Sequence, residues 1–363
     1  MGLEIRHLKK AFGGHTVLDG LSLEVGDGET VVVFGPSGTG KTLLLRLVAG
    51  AHEASGGRIL VDGRDVTNEN PEHRGVGMAF QNFALFPHMS AYDNIASGLS
   101  ARTKDKAAID ARVQATARLL KIDHVLGHQP RELSNGQKQR TALARALVGE
   151  PKVLLLDDPL RNVDAKLRYE MRLELPTLLK RFGSASLYVT QDYREAMALG
   201  DRIAVLLDGR IAQLATPAEI YEAPATIAVA RLFGDPTINL LDVEPHLNGA
   251  GLTVSIANTR VSLPGGYAAA AGRPAVLGLR PEDVVVDDRP QGAVAVPVEV
   301  VAVTPLNERA VVLMRTDDGR ELFAAEPGEA ISGRRHGPAF ASFDPARALV
   351  FDRADGRRIA PTH

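Results

Sequence analysis

Short apolar runs separated by turn residues dominate the first part of the chain. Residues 3–35 read LEIRHLKKAFGGHTVLDGLSLEVGDGETVVVFG, a pattern that predicts strands joined by hairpins. TLLLRLVAG then has helical spacing and ends at Gly50, the expected C-cap. The pattern is mostly helical from about Ser90 to Glu150, and strands alternate with helices again in KVLLLDD, SLYVTQ and DRIAVLLDGRIAQL. This order of elements predicts an α/β domain.

The pattern changes after about Phe233. Short β-rich runs such as LTVSIA, AVLGLR, VPVEVVAV and ALVFD are separated there by Gly, Pro and Asp-Gly turns. Such runs are typical of a small β-barrel or β-sandwich. We therefore predict two domains. Residues 1–235 form the α/β domain, with a helical subdomain at about 83–149, and residues 236–363 form a smaller all-β, OB-like domain.

The composition is that of an ordinary globular protein. The 363 residues are 45% apolar and 24% charged, which excludes the disordered and fibrous classes. The formal net charge of -2 gives no general attraction to nucleic acid, so we predict no nucleic-acid partner. The absence of Cys excludes disulfides and thiolate metal sites. The start MGLEIRHLKK lacks the apolar core of a signal peptide, and a cytoplasmic location is predicted.

A glycine-rich segment lies between a predicted strand and a predicted helix, in VVVFGPSGTGKTLLL. This is the phosphate-loop pattern in its required context. The backbone N–H groups are expected to wrap a β-phosphate, Lys41 to span the β- and γ-phosphates, and the Thr42 hydroxyl to bind Mg²⁺. The expected nucleotide contacts are Gly35, Pro36, Ser37, Gly38, Thr39, Gly40, Lys41 and Thr42.

Two adjacent carboxylates end an apolar run in LLLDDPLRNVD, residues 154–164. An unbroken apolar run predicts a buried parallel strand, and α/β sheets bind ligands at the carboxyl ends of such strands. Solvated acids at a strand end are the plainer alternative, which the phosphate loop disfavours. A phosphate-loop protein needs a strand carboxylate to hold Mg²⁺, and Asp157 is predicted to be that ligand.

The order of the motifs resembles the ATP-binding-cassette (ABC) family of transport ATPases. Five motifs carry the resemblance: the phosphate loop, a glutamine loop around Gln81, the signature-like LSNGQ, the strand acid, and the NVDAKLR loop. They span about residues 3–235. The tail segments LGLRPEDV and FDPARALVFD resemble the C-terminal β-domain of ATPases that serve carbohydrate-type importers, the maltose-transporter branch.

The resemblance implies roles that spacing does not reveal. Such cassettes pair head to tail, so that ATP with Mg²⁺ lies between one chain's phosphate loop and the other chain's signature segment. Phe12 is expected to stack on adenine, with core packing as the alternative. Gln81 is expected to sense Mg²⁺ and the γ-phosphate, beside a segment, NFALFPHMS, that contacts the permease. Lys138 and Arg140 are predicted on a solvated helix face. The remaining expected contacts are Ser134, Asn135, Gly136, Gln137 and Asp164.

The chain departs from the family pattern at three positions. Asp158 stands where the family has a Glu that polarises the attacking water, and the missing methylene withdraws the carboxylate by roughly 1.5 Å. Gln191 replaces the switch histidine, so it donates a neutral hydrogen bond but cannot become a cation. Asn135 replaces a glycine, a change that Asn tolerates because it visits left-handed conformations more readily than most residues. Asp158 and Gln191 together predict a slow hydrolytic site.

The leading hypothesis is the ATP-binding subunit of a membrane importer for a sugar, polyol or glycerol-type solute, driven by ATP-dependent dimer closure and hydrolysis. It would lie on the cytoplasmic face of the membrane with permease subunits and, indirectly, a solute-binding protein. The alternative is an ATP-gated regulatory subunit with little turnover. A cassette acting on DNA or ribosomes is disfavoured, because the sequence shows no coiled-coil insertion, second cassette or extended basic stretch. A different ATPase partner that keeps the usual Glu and His is favoured over a homodimer.

Overall fold

The structure is a computed structural model that describes residues 2–100, 103–248, 251–306, 309–328 and 336–361. It divides into two compact units, Met1–Pro217 and Ala218–His363. In the described ranges, no helix is long and apolar enough to cross a membrane.

The first unit contains two β-sheets. An antiparallel sheet has the order β2-β1-β4-β5, and its strands are β1 Leu3–Phe12, β2 His15–Val25, β4 Gly56–Val61 and β5 Arg64–Asp65. The second sheet has the order β10-β9-β3-β8-β7-β6, and its strands are β3 Thr30–Phe34, β6 Val76–Ala79, β7 Val153–Asp157, β8 Ala185–Thr190, β9 Arg202–Leu207 and β10 Arg210–Ala215. The predicted hairpins and alternating strands of this unit are confirmed.

The second sheet positions the candidate site. Strands β6, β7, β8, β3 and β9 run parallel, and β10 pairs antiparallel with β9. Every residue of β3, β7 and β8 is buried, as the unbroken apolar runs predict. Because parallel strands end at the same edge of a sheet, the residues after Phe34, Asp157 and Thr190 meet there.

The first unit has six helices in its described residues. They are α1 Lys41–Ala49, α2 Ala91–Ser100, α3 Lys106–Leu119, α4 Asn135–Leu147, α5 Ala165–Phe182 and α6 Tyr193–Leu199. Of these, α2, α3 and α4 lie within the segment predicted to be helical, about Ser90 to Glu150. Gly50 ends α1 in the left-handed conformation, with φ of 81°, and its N–H donates to the carbonyls of Arg46 and Leu47. The predicted C-cap is therefore confirmed.

The second unit is rich in β-strands, as predicted. Two short helices precede them: α7 Pro217–Glu222 and α8 Ile227–Leu232. The strands are β11 Asn239–Val243, β12 His246–Asn248, β13 Gly251–Ile256, β14 Thr259–Leu263, β15 Ala275–Leu279, β16 Val284–Asp287, β17 Ala295–Leu306, β18 Arg309–Thr316, β19 Glu321–Pro327, β20 Gly337–Phe343 and β21 Leu349–Asp352. One sheet has the order β16-β20-β17-β18-β19. Its edge strands β16 and β19 approach each other, so this sheet curls toward a barrel.

The division between the units falls before the sequence-based boundary at residue 235, because α7 and α8 pack with the β-domain. Ala230 of α8 belongs to the same apolar cluster as Phe351. Arg280 is 4% exposed, and its guanidinium donates to the carbonyls of Tyr221, at 2.8 Å, and Ala230, at 3.1 Å. These bonds from a buried cation fix both helices to the second unit, a long-range contact that local composition does not show.

Candidate nucleotide-binding site

The phosphate loop connects β3 to α1 in a conformation that depends on glycine. Gly38 and Gly40 have φ of 83° and 96°, whereas Thr39 between them has no positive φ. Alternation of left- and right-handed residues brings successive N–H groups into a concave anion-binding surface. A side chain on Gly40 would also lie 2.9 Å from a Leu18 methyl carbon. The loop at the start of α1 is therefore shaped for phosphate.

Lys41, the first residue of α1, lies inside this loop. It is 5% exposed, and its Nζ donates to the carbonyls of Gly35, at 2.8 Å, and Pro36, at 2.6 Å. Burial lowers the pKa of Lys41, and the nearby carboxylates Asp158 and Asp157 oppose that shift. The ammonium group is thus held where a phosphate chain would run along the loop.

Thr42 joins the phosphate loop to β7. Its hydroxyl donates a hydrogen bond of 2.9 Å to Oδ1 of Asp157. Burial raises the pKa of Asp157, and the bond from Thr42 opposes that rise. Gln81 lines the same cavity of about 260 Å³ as Thr42, Asp157, Lys41, Asp158 and Gln191. The structure therefore brings together the three side chains predicted to bind Mg²⁺.

This ligand set suits Mg²⁺. Among the described residues, no group of three or more His, Asp or Glu is arranged to hold a metal ion. Mg²⁺ usually keeps several waters and takes one or two carboxylates plus substrate phosphates, rather than a cage made only of protein. One carboxylate, one hydroxyl and one amide beside a phosphate loop match that preference.

Asp158 follows β7 in an unusual backbone conformation. Its φ of 44° lies in the left-handed region, which Asp tolerates better than most residues. Its N–H donates to the Val189 carbonyl at 2.8 Å, which fixes the backbone to β8. Burial raises the pKa of Asp158, and Arg161 is the strongest of the groups that oppose this. The carboxylate is thus a buried acid at the wall of the cavity.

Gln191 comes directly after β8 and lines the same cavity as Asp158. Its Oε1 accepts a hydrogen bond of 2.8 Å from the Ser37 hydroxyl of the phosphate loop. With the oxygen engaged, the amide N–H₂ group remains the donor available to a phosphate oxygen. The structure therefore brings the residue at the predicted switch position into contact with the phosphate loop.

A buried network that the sequence analysis missed supports the Gln191 segment. Glu195 is 2% exposed, and its Oε2 accepts hydrogen bonds from the hydroxyls of Tyr188, at 2.8 Å, and Thr190, at 2.9 Å. The N–H of Asp192 donates to the Thr190 hydroxyl at 3.0 Å. Burial raises the pKa of Glu195, and the two hydroxyls oppose that shift. The sequence does contain one signal for this network. Glu195 is a charged residue on the sheet-facing side of α6, four positions after Gln191.

The signature residues lie at the start of α4 and do not line the cavity of their own phosphate loop. Ser134 is the N-cap, and its hydroxyl accepts from the N–H of Gln137 at 3.3 Å, while Gln137 Oε1 accepts from the Ser134 N–H at 2.9 Å. Gly136 is buried, and a Cβ there would lie 2.4 Å from a Leu167 methyl carbon. Asp164 caps α5 by accepting from the Leu167 N–H at 2.9 Å.

Two sequence-based expectations in this region are wrong. Asn135 is the first residue of α4 and has no positive φ, so its tolerance does not depend on a left-handed conformation. Arg140 is not on a solvated face, because its guanidinium donates to the Leu120 carbonyl and to Glu174, both at 3.0 Å. Arg140 therefore connects α4 to α5 and to the end of α3.

Phe12 lies at the end of β1 and is 48% exposed, which excludes the alternative of core packing. Lys10 Nζ lies 4.8 Å from the centre of its ring, and the His52 ring makes an edge contact with it at 6.3 Å. An exposed aromatic face is available for stacking against another planar group.

Three features define a P-loop ATPase of the cassette type. A phosphate loop leads into a helix, a strand carboxylate is hydrogen-bonded to Thr42 of that helix, and a separate helix begins with a signature-type segment. Comparison with known proteins extends this assignment. Residues 18–161 match the ABC transporter family. The chain is 45% identical over 311 residues to the sn-glycerol-3-phosphate import ATP-binding protein UgpC of Salmonella typhi, covering 83% of this chain and 85% of that protein.

The similarity reaches the second unit. The chain is 41% identical over 357 residues to UgpC of Cereibacter sphaeroides, covering 98% of this chain and 99% of that protein. A solved dimeric ATP-binding cassette in a post-hydrolysis state with ADP and Pi is 26% identical, with a TM-score of 0.53 over 59% of this chain and 98% of that one. This chain belongs to the ABC transporter family, as an ATP-binding subunit of its carbohydrate-importer branch, and is an ATPase coupled to transport.

Proposed function

We propose that this chain powers the import of glycerol phosphate or a closely related phosphorylated polyol. The observation that carries the proposal is the 41% identity to a glycerol-3-phosphate import subunit over 98% of the chain, since it includes the second unit as well as the ATPase unit. The working unit would be two ATPase chains on permease subunits at the cytoplasmic face of the membrane, with a solute-binding protein delivering the solute.

Transport in a reconstituted complex tests this proposal. The chain is purified with the membrane subunits that accompany it and placed in vesicles loaded with ATP and Mg²⁺, together with the matching solute-binding protein. We expect uptake of labelled sn-glycerol-3-phosphate that exceeds uptake of labelled maltose and is lost in Lys41→Ala. Equal uptake of both solutes, or uptake that survives Lys41→Ala, would contradict the proposal.

Different residues of this chain would bind different parts of the nucleotide. Lys41 and the loop N–H groups would bind the phosphates, because they present positive charge and donors along one concave surface. Thr42, Asp157 and Gln81 would hold Mg²⁺, which supplies charge neutralisation to the phosphates when it is bound. Phe12 would stack on adenine. Together these groups orient the nucleotide without taking part in proton transfer.

Head-to-tail pairing would complete the site. Ser134, Asn135, Gly136 and Gln137 begin a helix away from their own phosphate loop, and the positive end of the helix dipole favours an anion there. These residues would therefore contact the γ-phosphate held by a second chain. Asp164, exposed at the start of α5, would lie close to that contact.

Hydrolysis at this chain's own phosphate loop would be slow. Asp158 is shorter than Glu by one methylene, and a misplacement of about 1 Å can cost ~100-fold in rate. Gln191 reaches the phosphate loop through Ser37 and supplies a donor but no charge. These two features favour, as a second candidate function, an ATP-gated regulatory subunit that binds nucleotide and turns it over rarely. ATP-driven uptake by a complex in which this is the sole ATPase would exclude that candidate.

A further inference from the structure

Asp158 is paired with a cation from its own loop. Arg161, three residues later, places NH1 3.6 Å from Asp158 Oδ2. The Asp158 side chain is 10% exposed and that of Arg161 is 52% exposed, so Arg161 approaches from solvent toward a buried carboxylate. The Arg161 N–H also donates to the Asp158 carbonyl at 3.3 Å. The two residues therefore form a local unit held by backbone and side chains.

The ion pair lies on the side of Asp158 that faces away from the phosphate loop, next to a second cavity. The cavity of about 260 Å³ at the phosphate loop is lined by Asp158 and Gln191 but not by Arg161. A neighbouring cavity of about 380 Å³ is lined by all three. Arg161 thus attracts the carboxylate from the neighbouring cavity rather than from the space where the γ-phosphate would lie.

The backbone that carries Arg161 is itself anchored. The guanidinium of Arg168 in α5 donates to the carbonyls of Leu160, Arg161 and Val163 at 3.2, 3.2 and 3.1 Å. Asn162 Nδ2 donates to the Gln81 carbonyl at 2.9 Å. Because these bonds fix the backbone of the loop, the guanidinium of Arg161 can follow Asp158 only through its own side-chain torsions. A carboxylate that moves toward the phosphate moves away from the cavity in which Arg161 approaches it.

We propose that Arg161 is a positioning residue that restrains Asp158 toward the neighbouring cavity and thereby slows hydrolysis while leaving ATP binding intact. The inference rests on the proposed slow site. The Asp158 side chain is one methylene shorter than that of Glu, so its carboxylate must move toward the γ-phosphate to act on the attacking water. The attraction of Arg161 opposes that movement.

Charge-specific variants of Arg161 test the inference. Arg161→Gln removes the charge, Arg161→Lys keeps it, and Arg58→Gln is a matched control because Arg58 is an exposed arginine whose partner Asp65 lies 4.0 Å away. Steady-state ATPase activity and ATP affinity are measured for the full chain with its co-purified membrane subunits. We expect kcat of Arg161→Gln to rise about 2- to 5-fold, the scale of a partly exposed ion pair, with KM within about twofold. Arg161→Lys and Arg58→Gln should remain near the wild-type kcat.

Other outcomes would overturn the inference. A fall in kcat of Arg161→Gln would show that the cation assists the reaction, and an unchanged kcat would show that the ion pair has no effect on it. An equal rise in Arg161→Lys would show that packing, not charge, is responsible. A rapid wild-type enzyme would refute the slow site itself, whereas a slow enzyme that Asp158→Glu accelerates and Arg161→Gln does not would refute only the role of Arg161.

Discussion

The hydroxyl of Ser37 donates a hydrogen bond of 2.8 Å to Oε1 of Gln191. This contact connects the phosphate loop to the segment after β8, and it orients the amide so that its N–H₂ end is free to donate. Gln191 is therefore arranged to detect a phosphate oxygen, but a neutral amide cannot supply the charge or proton that an imidazole would. Nucleotide binding and hydrolysis should accordingly respond differently to mutation.

Lys41→Ala should weaken Mg-ATP binding by about 30-fold or more, because it removes a buried charge that faces the phosphates. Gln191→Ala and Asp158→Asn should leave the affinity within about threefold, since neither contributes positive charge to the ground state. Equilibrium binding of a fluorescent ATP analogue to the purified chain measures this. An unchanged affinity in Lys41→Ala would contradict the assigned phosphate site.

Ser134→Arg should stop hydrolysis in a dimer while leaving nucleotide binding by the separate chain largely intact. The reason is placement: Ser134 caps α4 and does not line its own chain's cavity, so a large side chain there would block only a composite site. Binding to monomers and turnover by dimers are measured side by side, with Ser134→Thr as the control that keeps the N-cap. Loss of monomer binding would refute the head-to-tail model.

Glu195→Gln should stabilise the protein more as pH rises. The pKa of Glu195 is raised by burial above 4.5, so the folded state holds this proton more tightly than the unfolded chain. The resulting stabilisation is full below about pH 4.5 and is lost as pH rises through the raised pKa. Gln stays neutral and keeps an oxygen for Tyr188 and Thr190. The difference in Tm between variant and wild type should therefore be larger at pH 8 than at pH 5.

Thermal unfolding of Glu195→Gln at these two pH values needs an exposed carboxylate as its control, and Glu72→Gln provides one. The Tm difference for Glu72→Gln is measured at the same two pH values and subtracted, which removes the general effect of losing a carboxylate. If the Glu195→Gln difference shrinks or stays constant between pH 5 and pH 8, burial does not raise the pKa of Glu195 in the folded protein.

The composition of the native complex tests the predicted pairing with a different ATPase subunit. A partner that keeps the usual Glu and His would form one rapid composite site. Its own phosphate loop, Glu and His would face Ser134, Asn135 and Gly136 of this chain. We expect mass spectrometry of the complex purified from its own membrane to find one copy of this chain beside one copy of another cassette. Two copies of this chain with no other ATPase would contradict the pairing.

Sequence patterns were sufficient for the features that depend on local order. The buried strand before Asp157, the phosphate loop before Lys41 and the C-cap at Gly50 follow from runs, glycines and spacing. The environments of Arg161, Glu195 and Arg280 could not be predicted in that way. Each depends on which carbonyl, hydroxyl or carboxylate the tertiary fold brings to a charged group. Charged residues are mostly exposed in proteins, so the sequence alone equally fits a solvated surface at these three positions.

The turnover of the chain with its catalytic positions restored tests the central claim most directly. Steady-state ATPase activity is measured for the wild type and for Asp158→Glu combined with Gln191→His, with Mg-ATP binding recorded for both. Because the double variant regains the reach of a longer acid and an ionisable switch residue, we expect kcat to rise by about 10- to 100-fold at similar ATP affinity. A wild-type chain that already turns over at a typical rate of about 1 to 10³ per second, and gains nothing from the double substitution, would contradict the account.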